Sequence, residues 1–182
     1  MASLSDRGPI PPKDTMNTNL SPANESTMLH KLGKPGNLTK DCSDPFPEFK
    51  KRLKFGVNVG PFKVSGLDFA VESLRQLFAE VQQQLPDVFA AVRSDGMLCV
   101  RHRRKSSMLF SNHSFGTAID IFFGSEAVPQ GTHLTHRGNL LLFPFFNRHG
   151  WYWGAEFSDG FVDSMHFELA EETILKPPDT PL

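Results

Sequence analysis

The sequence predicts an α+β domain built on a small antiparallel sheet, and three observations lead there. The segment Leu67–Leu85 carries apolar residues at three- and four-residue steps, the pattern of an amphipathic helix. Met97–Arg101, Ala118–Phe123 and Phe161–Leu169 are short runs that read as strands. The order of these segments lacks the regular strand–helix alternation of a parallel sheet. The 182 residues suffice for one domain with a real core, and there is no internal repeat.

Taken in order, residues 1–29 are rich in Ser, Thr, Asn and Pro and are expected to form a disordered or loosely attached tail. The domain proper is expected over 30–175. It begins with an irregular arm punctuated by Gly33, Pro35, Gly36, Pro45 and Pro47. In the long helix, Leu67, Ala70, Val71, Leu74, Leu77, Phe78, Val81 and Leu85 line the core face. Ser65 or Gly66 caps its start, Asp68 and Glu72 suit its positive end, and Pro86 stops it. Asp95-Gly96 is a turn leading into the 97–101 strand. Leu140–His149 reads as a helix with Pro144 at an end or a kink and Gly150 as terminator. Residues 176–182 form a Pro-rich C-terminal tail.

Composition narrows the function. Hydrophobic residues make up 39% and charged residues 21%, as in ordinary globular proteins. A net charge of -1 argues against a protein built chiefly to hold nucleic acid, and the basic run Arg101–Lys105 is too small to reverse that. The 17 Phe residues are read as core filling. Cys42 and Cys99 are expected to be reduced thiols, Cys99 as a small apolar strand residue. His30, His102, His133 and His136 are expected on the surface. The first residues lack a cationic stretch followed by an apolar run, and no segment has the roughly 20 apolar residues of a membrane span. The expectation is a monomer made in the cytoplasm without a signal peptide.

The chemistry concentrates in two segments. In Ser111-Asn-His-Ser-Phe-Gly-Thr-Ala-Ile-Asp120, His113 and Asp120 are ligand types that suit zinc. Asp120 interrupts an apolar strand, and strand alternation would turn it to the face opposite Ile119 and Ile121. A buried lone carboxylate is costly, so it needs a partner such as a divalent cation. Gly116 permits an unusual backbone turn, or a close approach to the metal or to another strand. In Asp163-Ser-Met-His-Phe-Glu168, His166 completes a His-Asp-His set. Three protein ligands leave a fourth position open, as in catalytic zinc sites. Asp163, three residues before a ligand, could serve as general base. On spacing alone, a lone His reads more readily as a hydrogen-bonded core residue than as a ligand, and Asp120 in its apolar run brings the metal site level with that reading. No nucleophile elbow, Walker loop or dinucleotide motif competes.

The first segment closely resembles the Ser-x-His-x-x-Gly-x-Ala-x-Asp signature of the D-Ala-D-Ala carboxypeptidase and L-alanyl-D-glutamate endopeptidase family, zinc peptidases that include phage endolysins and bacterial wall enzymes. His149-Gly-Trp-Tyr-Trp-Gly154 and Asp163-Ser-Met-His-Phe-Glu168 resemble its Gly-Trp-x-Trp-Gly and Asp-x-x-His-Phe-Glu blocks. The resemblance spans roughly residues 30–172. It implies the DD-peptidase or hedgehog-like fold, an antiparallel sheet flanked by helices with zinc on one face. It implies zinc on His113, Asp120 and His166, with Asp163 as base. It also implies an upstream arginine that binds the substrate carbonyl or carboxylate. Arg101 is the first choice because it closes the expected strand, and Arg103 the second. Two departures stand out: Lys105-Ser106 replaces a common Gly-Ser, and Trp153-Gly154-Ala155 replaces Trp-Gly-Gly.

Other candidates keep two readings. Ser111 either contacts substrate or shapes the turn. His149 either stabilises the oxyanion or donates a proton, or else caps a helix. Trp151 and Trp153 line a groove or fill the core. Glu168 can orient a ligand from behind. The expected activity is cleavage of peptidoglycan stem peptides, with an L-alanyl-D-glutamate endopeptidase favoured. The alternatives are a D,D-carboxypeptidase or dipeptidase, or an inactive zinc- and wall-binding module. Release would be by a holin, as for an endolysin, or by a secretion machine. An antibacterial toxin delivered that way would have an immunity protein as partner.

Overall fold

The long helix fixes where the core sits, and the sheet that carries the site packs beside it. The structure, a computed structural model, describes residues 3–177. The chain opens with strand β1 (Arg7–Pro9), helix α1 (Glu25–Leu32) and the single turn α2 (Pro47–Lys50). The hairpin β2 (Leu53–Asn58) and β3 (Lys63–Leu67) leads straight into α3 (Asp68–Gln84). Short α4 (Pro86–Ala91) and strand β4 (Val92–Gly96) follow, then the hairpin β5 (His102–Arg103) and β6 (Ser106–Phe110). After a 3₁₀ turn, Asn112–Phe115, come β7 (Ala118–Phe123), β8 (Leu134–His136), α5 (Arg137–Arg148) and β9 (Trp151–Trp153). A second 3₁₀ turn, Gly154–Glu156, precedes β10 (His166–Leu169) and α6 (Glu171–Leu175).

The main sheet runs β4-β7-β10-β9, all antiparallel, so the expected α+β class holds. α3 buries Ala70, Val71, Leu74, Leu77, Phe78 and Val81, the stripe read from the sequence. Its N-cap is Leu67, with no side-chain cap bond. Ser65 instead accepts the Gly56 N–H. Pro86 ends α3 as expected, and its fixed φ then starts α4. Phe146 lies at the junction of helices and sheet, stacked on Phe167 at 4.0 Å and edge-on to Phe78 at 6.2 Å. Much of the phenylalanine excess is therefore core. Among the described residues, no helix is long and apolar enough to cross a membrane.

Several expectations need correction. Residues 97–101 are not a ladder strand; the strand lies upstream, at β4. Met97 and Val100 are buried but three residues apart, and Cys99 N–H donates to His113 O rather than to a strand neighbour. Only His166–Leu169 of the 161–169 run is strand, because residues 161–165 fold as a turn and loop. Pro144 lies inside α5, and Gly150, at φ +76, follows the helix end. His136 is buried, and its Nδ1 accepts the Phe123 N–H at 3.2 Å. Burial lowers its pKa, with the nearby Arg7 charge adding to the effect. The two cysteines are joined: Cys42 and Cys99 form a disulfide with Cα atoms 5.0 Å apart, and Cys99 is half-buried outside any strand.

The polar N-terminal segment does not trail from the domain. Met16, Asn17, Ala23 and Met28 are buried, and β1 pairs with β8. β9 is one of the two outer strands of the main sheet. The Asn17 side chain supplies what a further strand would: its Nδ2 donates to Trp153 O at 3.0 Å, and its Oδ1 accepts the Trp153 N–H at 2.7 Å. Most of the expected C-terminal tail, residues 178–182, lies outside the described residues.

Candidate metal centre

β7 and β10 are neighbours, and their register sets Asp120 directly opposite His166. Ile119 and Ile121 are fully buried, while Asp120 keeps 28% of its side chain exposed. The two-residue period of the strand thus turns the carboxylate to the open face, as the sequence implied. His113 comes from the 3₁₀ turn that Gly116 closes at φ +64. A Cβ on Gly116 would lie 2.6 Å from Leu67 N and 2.7 Å from Gly66 Cα. Both reasons for a glycine therefore apply, the left-handed backbone and the close approach to β3.

Hydrogen bonds aim the two imidazoles. His113 Nδ1 lies 2.9 Å from the Met97 carbonyl, so the proton sits there and Nε2 faces Asp120. Asp120 Oδ1 is 3.4 Å from His113 Nε2 and 3.3 Å from His166 Nδ1. One ligand atom from each residue lies within 4.8 Å of the other two. Tetrahedral ligands at about 2.0–2.1 Å from a cation stand about 3.3–3.4 Å apart, so the donors are spaced to hold one. On its far side, His166 Nε2 meets Glu168 Oε2 at 2.8 Å, the carboxylate–histidine arrangement that fixes a ligand's ring.

The electrostatics favour a cation. Burial works against the charge on Asp120, but the attraction of His113 and hydrogen bonds from both histidines hold its carboxyl well below the usual range. Burial also opposes a charged His166, yet hydrogen bonds to Asp120 and Glu168 raise it well above the ordinary imidazole value. Asp163 is pushed up, chiefly by burial; His166 pulls it down and Asp120 adds to the rise. Asp120, Asp163 and Glu168 thus surround two histidines, an acidic setting that a divalent ion would balance.

The remaining candidates separate clearly. Arg101 is half-buried; burial and then the neighbouring Arg104 charge lower its pKa, and the charge of Asp120 works the other way. Its guanidinium donates to His102 O at 2.9 Å. Arg103 donates from Nε to Phe110 O at 3.0 Å and braces the β5–β6 hairpin, while Arg104 is exposed. Ser111 is buried at the start of the 3₁₀ turn and shapes it through its backbone: its N–H donates to Arg101 O and its carbonyl accepts the Ser114 N–H. His149 stands apart from the cluster; it caps α5 and meets Glu80 Oε2 at 3.1 Å. Trp153 is fully buried between Phe143 and Phe167, with its indole N–H on Ser164 O, so it fills the core instead of lining a groove.

Three contributors had no signature. Ser114 Oγ donates to Arg101 O at 2.8 Å and accepts the Arg101 N–H at 3.0 Å, which anchors that arginine's backbone beside the histidine turn. The Met97 carbonyl sets the His113 tautomer, and the Ala23 amide holds Glu168. Two of them are backbone groups, which every residue type carries, and Ser114 acts through one serine hydroxyl among many, so no pattern of side chains reveals them.

Residues 104–169 match the D-alanyl-D-alanine carboxypeptidase family. The family resemblance read from three sequence blocks holds across the stretch that contains all of them. That stretch includes His113, Asp120, Asp163 and His166; Arg101 lies just before it. No curated protein matches the chain. A peptidase-family match therefore coincides with a His-Asp-His cluster that can hold a metal.

Proposed function

We propose that this protein is a zinc-dependent peptidase that cleaves the stem peptides of peptidoglycan. The carrying observation is Asp120 Oδ1 standing 3.4 and 3.3 Å from one nitrogen of each histidine, within the stretch that matches the peptidase family. Zinc held there would activate water and polarise the scissile carbonyl. Asp163 takes the proton of the attacking water and returns it to the leaving amine. Its raised pKa brings it closer to the pH at which such a group exchanges protons well. Arg101, whose charge interacts with that of Asp120, would hold the carbonyl oxygen as negative charge develops.

Within this class, the resemblance of Gly150-Trp-Tyr-Trp-Gly154 to endolysin-type members supports an L-alanyl-D-glutamate endopeptidase. The description of the matched family supports a carboxypeptidase acting on D-Ala-D-Ala ends. Purified peptidoglycan incubated with the protein, with and without chelator, followed by mass spectrometry, separates them. New L-Ala ends establish the endopeptidase, and released D-Ala the carboxypeptidase. No products with zinc present would refute the enzyme and leave a wall-binding module. On this reading the site of action is the cell wall, in the periplasm or outside the cell.

A further inference from the structure

Resting on the metal centre proposed above, we infer that the N-terminal arm is a working part of it: the backbone amide of Ala23 positions Glu168, which positions the ligand His166. Glu168 is buried, and each of its oxygens has a different partner. Oε2 meets His166 Nε2 at 2.8 Å, and Oε1 accepts the Ala23 N–H at 3.0 Å. With only the histidine as partner, the carboxylate could rotate and let the imidazole turn with it. The second bond fixes its plane.

The arm is fastened on both sides of this contact. Ser21 N–H donates to the Glu172 carboxylate at 2.9 Å, and Ser21 O accepts the Glu171 N–H at 2.9 Å. Asn24 N–H donates to Glu171 at 2.8 Å, and the Thr27 hydroxyl donates to the other Glu171 oxygen. Segment 21–27 is thus laid along the residues that follow β10. The same arm reaches the other ligand-bearing element: the Glu25 carboxylate accepts the Phe110 N–H, at the entry to the turn that carries His113. Asn17 fastens the arm further away, at β9, without touching Glu168 or a ligand.

The test uses the full-length chain and reads zinc affinity by competition with a chromophoric chelator. Glu168→Gln and Ala23→Pro, which removes the amide hydrogen, should each weaken zinc binding about 10–100-fold. Asn17→Ala should lower the melting temperature yet leave zinc affinity within about twofold of wild type. Because coupling between sites is reciprocal, zinc should also slow hydrogen exchange at the Ala23 amide in the wild-type protein, and this effect should vanish in Glu168→Gln. The exchange measurement decides the matter even where Ala23→Pro does not fold. Unchanged affinity in Glu168→Gln, or an Ala23 amide indifferent to zinc, would overturn the inference while leaving the metal centre standing. A wild-type chain that binds no zinc would overturn both.

Discussion

Replacing Gly116 with alanine tests whether the backbone between two ligands is as constrained as it looks. The residue sits at φ +64, where a side chain costs about 1–2 kcal/mol. The added Cβ would also meet Leu67 N at 2.6 Å and Gly66 Cα at 2.7 Å. These are backbone atoms at the β3–α3 junction and cannot swing aside, so overpacking adds about 1–3 kcal/mol. The sum is about 2–5 kcal/mol, or a fall in melting temperature on the order of 10 °C for a chain of this size. Relief would come from pushing the 111–116 turn off β3, which would also carry His113 away from Asp120. Differential scanning calorimetry and zinc titration are the assays. Gly56→Ala is the control, since Gly56 has φ +60 but nothing within 4 Å of its Cβ position. If Gly116→Ala proves no more destabilising than Gly56→Ala, or leaves zinc affinity unchanged, the contact argument is wrong.

Asp163→Asn should retain zinc and lose about 10²–10⁴-fold in kcat, the usual contribution of a general base; turnover near wild type would remove it from the mechanism. Converting Cys42 and Cys99 to serine opens a crosslink spanning 57 residues, which on chain-entropy grounds costs about 4 kcal/mol. Urea denaturation should show that loss, and added reductant should lower the wild type but not the double variant. Tyr152 is the single tyrosine, so its phenolate absorbance is unambiguous. Burial, helped by the charges of Glu156 and Glu168, pushes it up to about 12 from an ordinary 10.0. Its contribution to stability is complete below about pH 10 and is lost as pH rises toward about 12, because only the unfolded chain ionises in between. A phenolate midpoint near 10 in the folded protein would contradict this.

What could be read from the sequence was whatever repeats locally. α3 appeared within a residue of its observed limits because it displays its period over its whole length, and β7 because its β-formers make a nearly continuous apolar run. Asp120 stood out because a carboxylate between Ile119 and Ile121 breaks an apolar run. The arm could not be read the same way. Its Ser, Thr, Asn and Pro content is that of a disordered segment, and its order comes from scattered buried residues such as Met16 and Met28, a three-residue strand pairing, and hydrogen bonds to residues more than 100 positions away, such as Asn17 to Trp153. Segment 97–101 misled because Met97 packs beside Gly66 and Val100 beside Gly36, long-range contacts that no strand pattern encodes. His136 looked like a surface histidine because the β8 strand that buries it has only three residues. The Cys42–Cys99 pair is a tertiary proximity, and two cysteines 57 residues apart carry no pairing signal.

The facing of Asp120 and His166 across two strands also bears on how the chain finds its fold. Side chains alternate along a strand, so a slip of β10 by one residue would send His166 to the opposite face and bring Phe167 or Met165 to Asp120. The same slip would pull Phe167 out of the core, so apolar burial already favours the native register. A cation held at the proposed centre would add to that preference, because only the native pairing offers it both donors. Its binding free energy is added to the native register alone. Refolding with zinc present would then deepen a choice that the core makes first, and an ion bound there would also proofread the strand alignment.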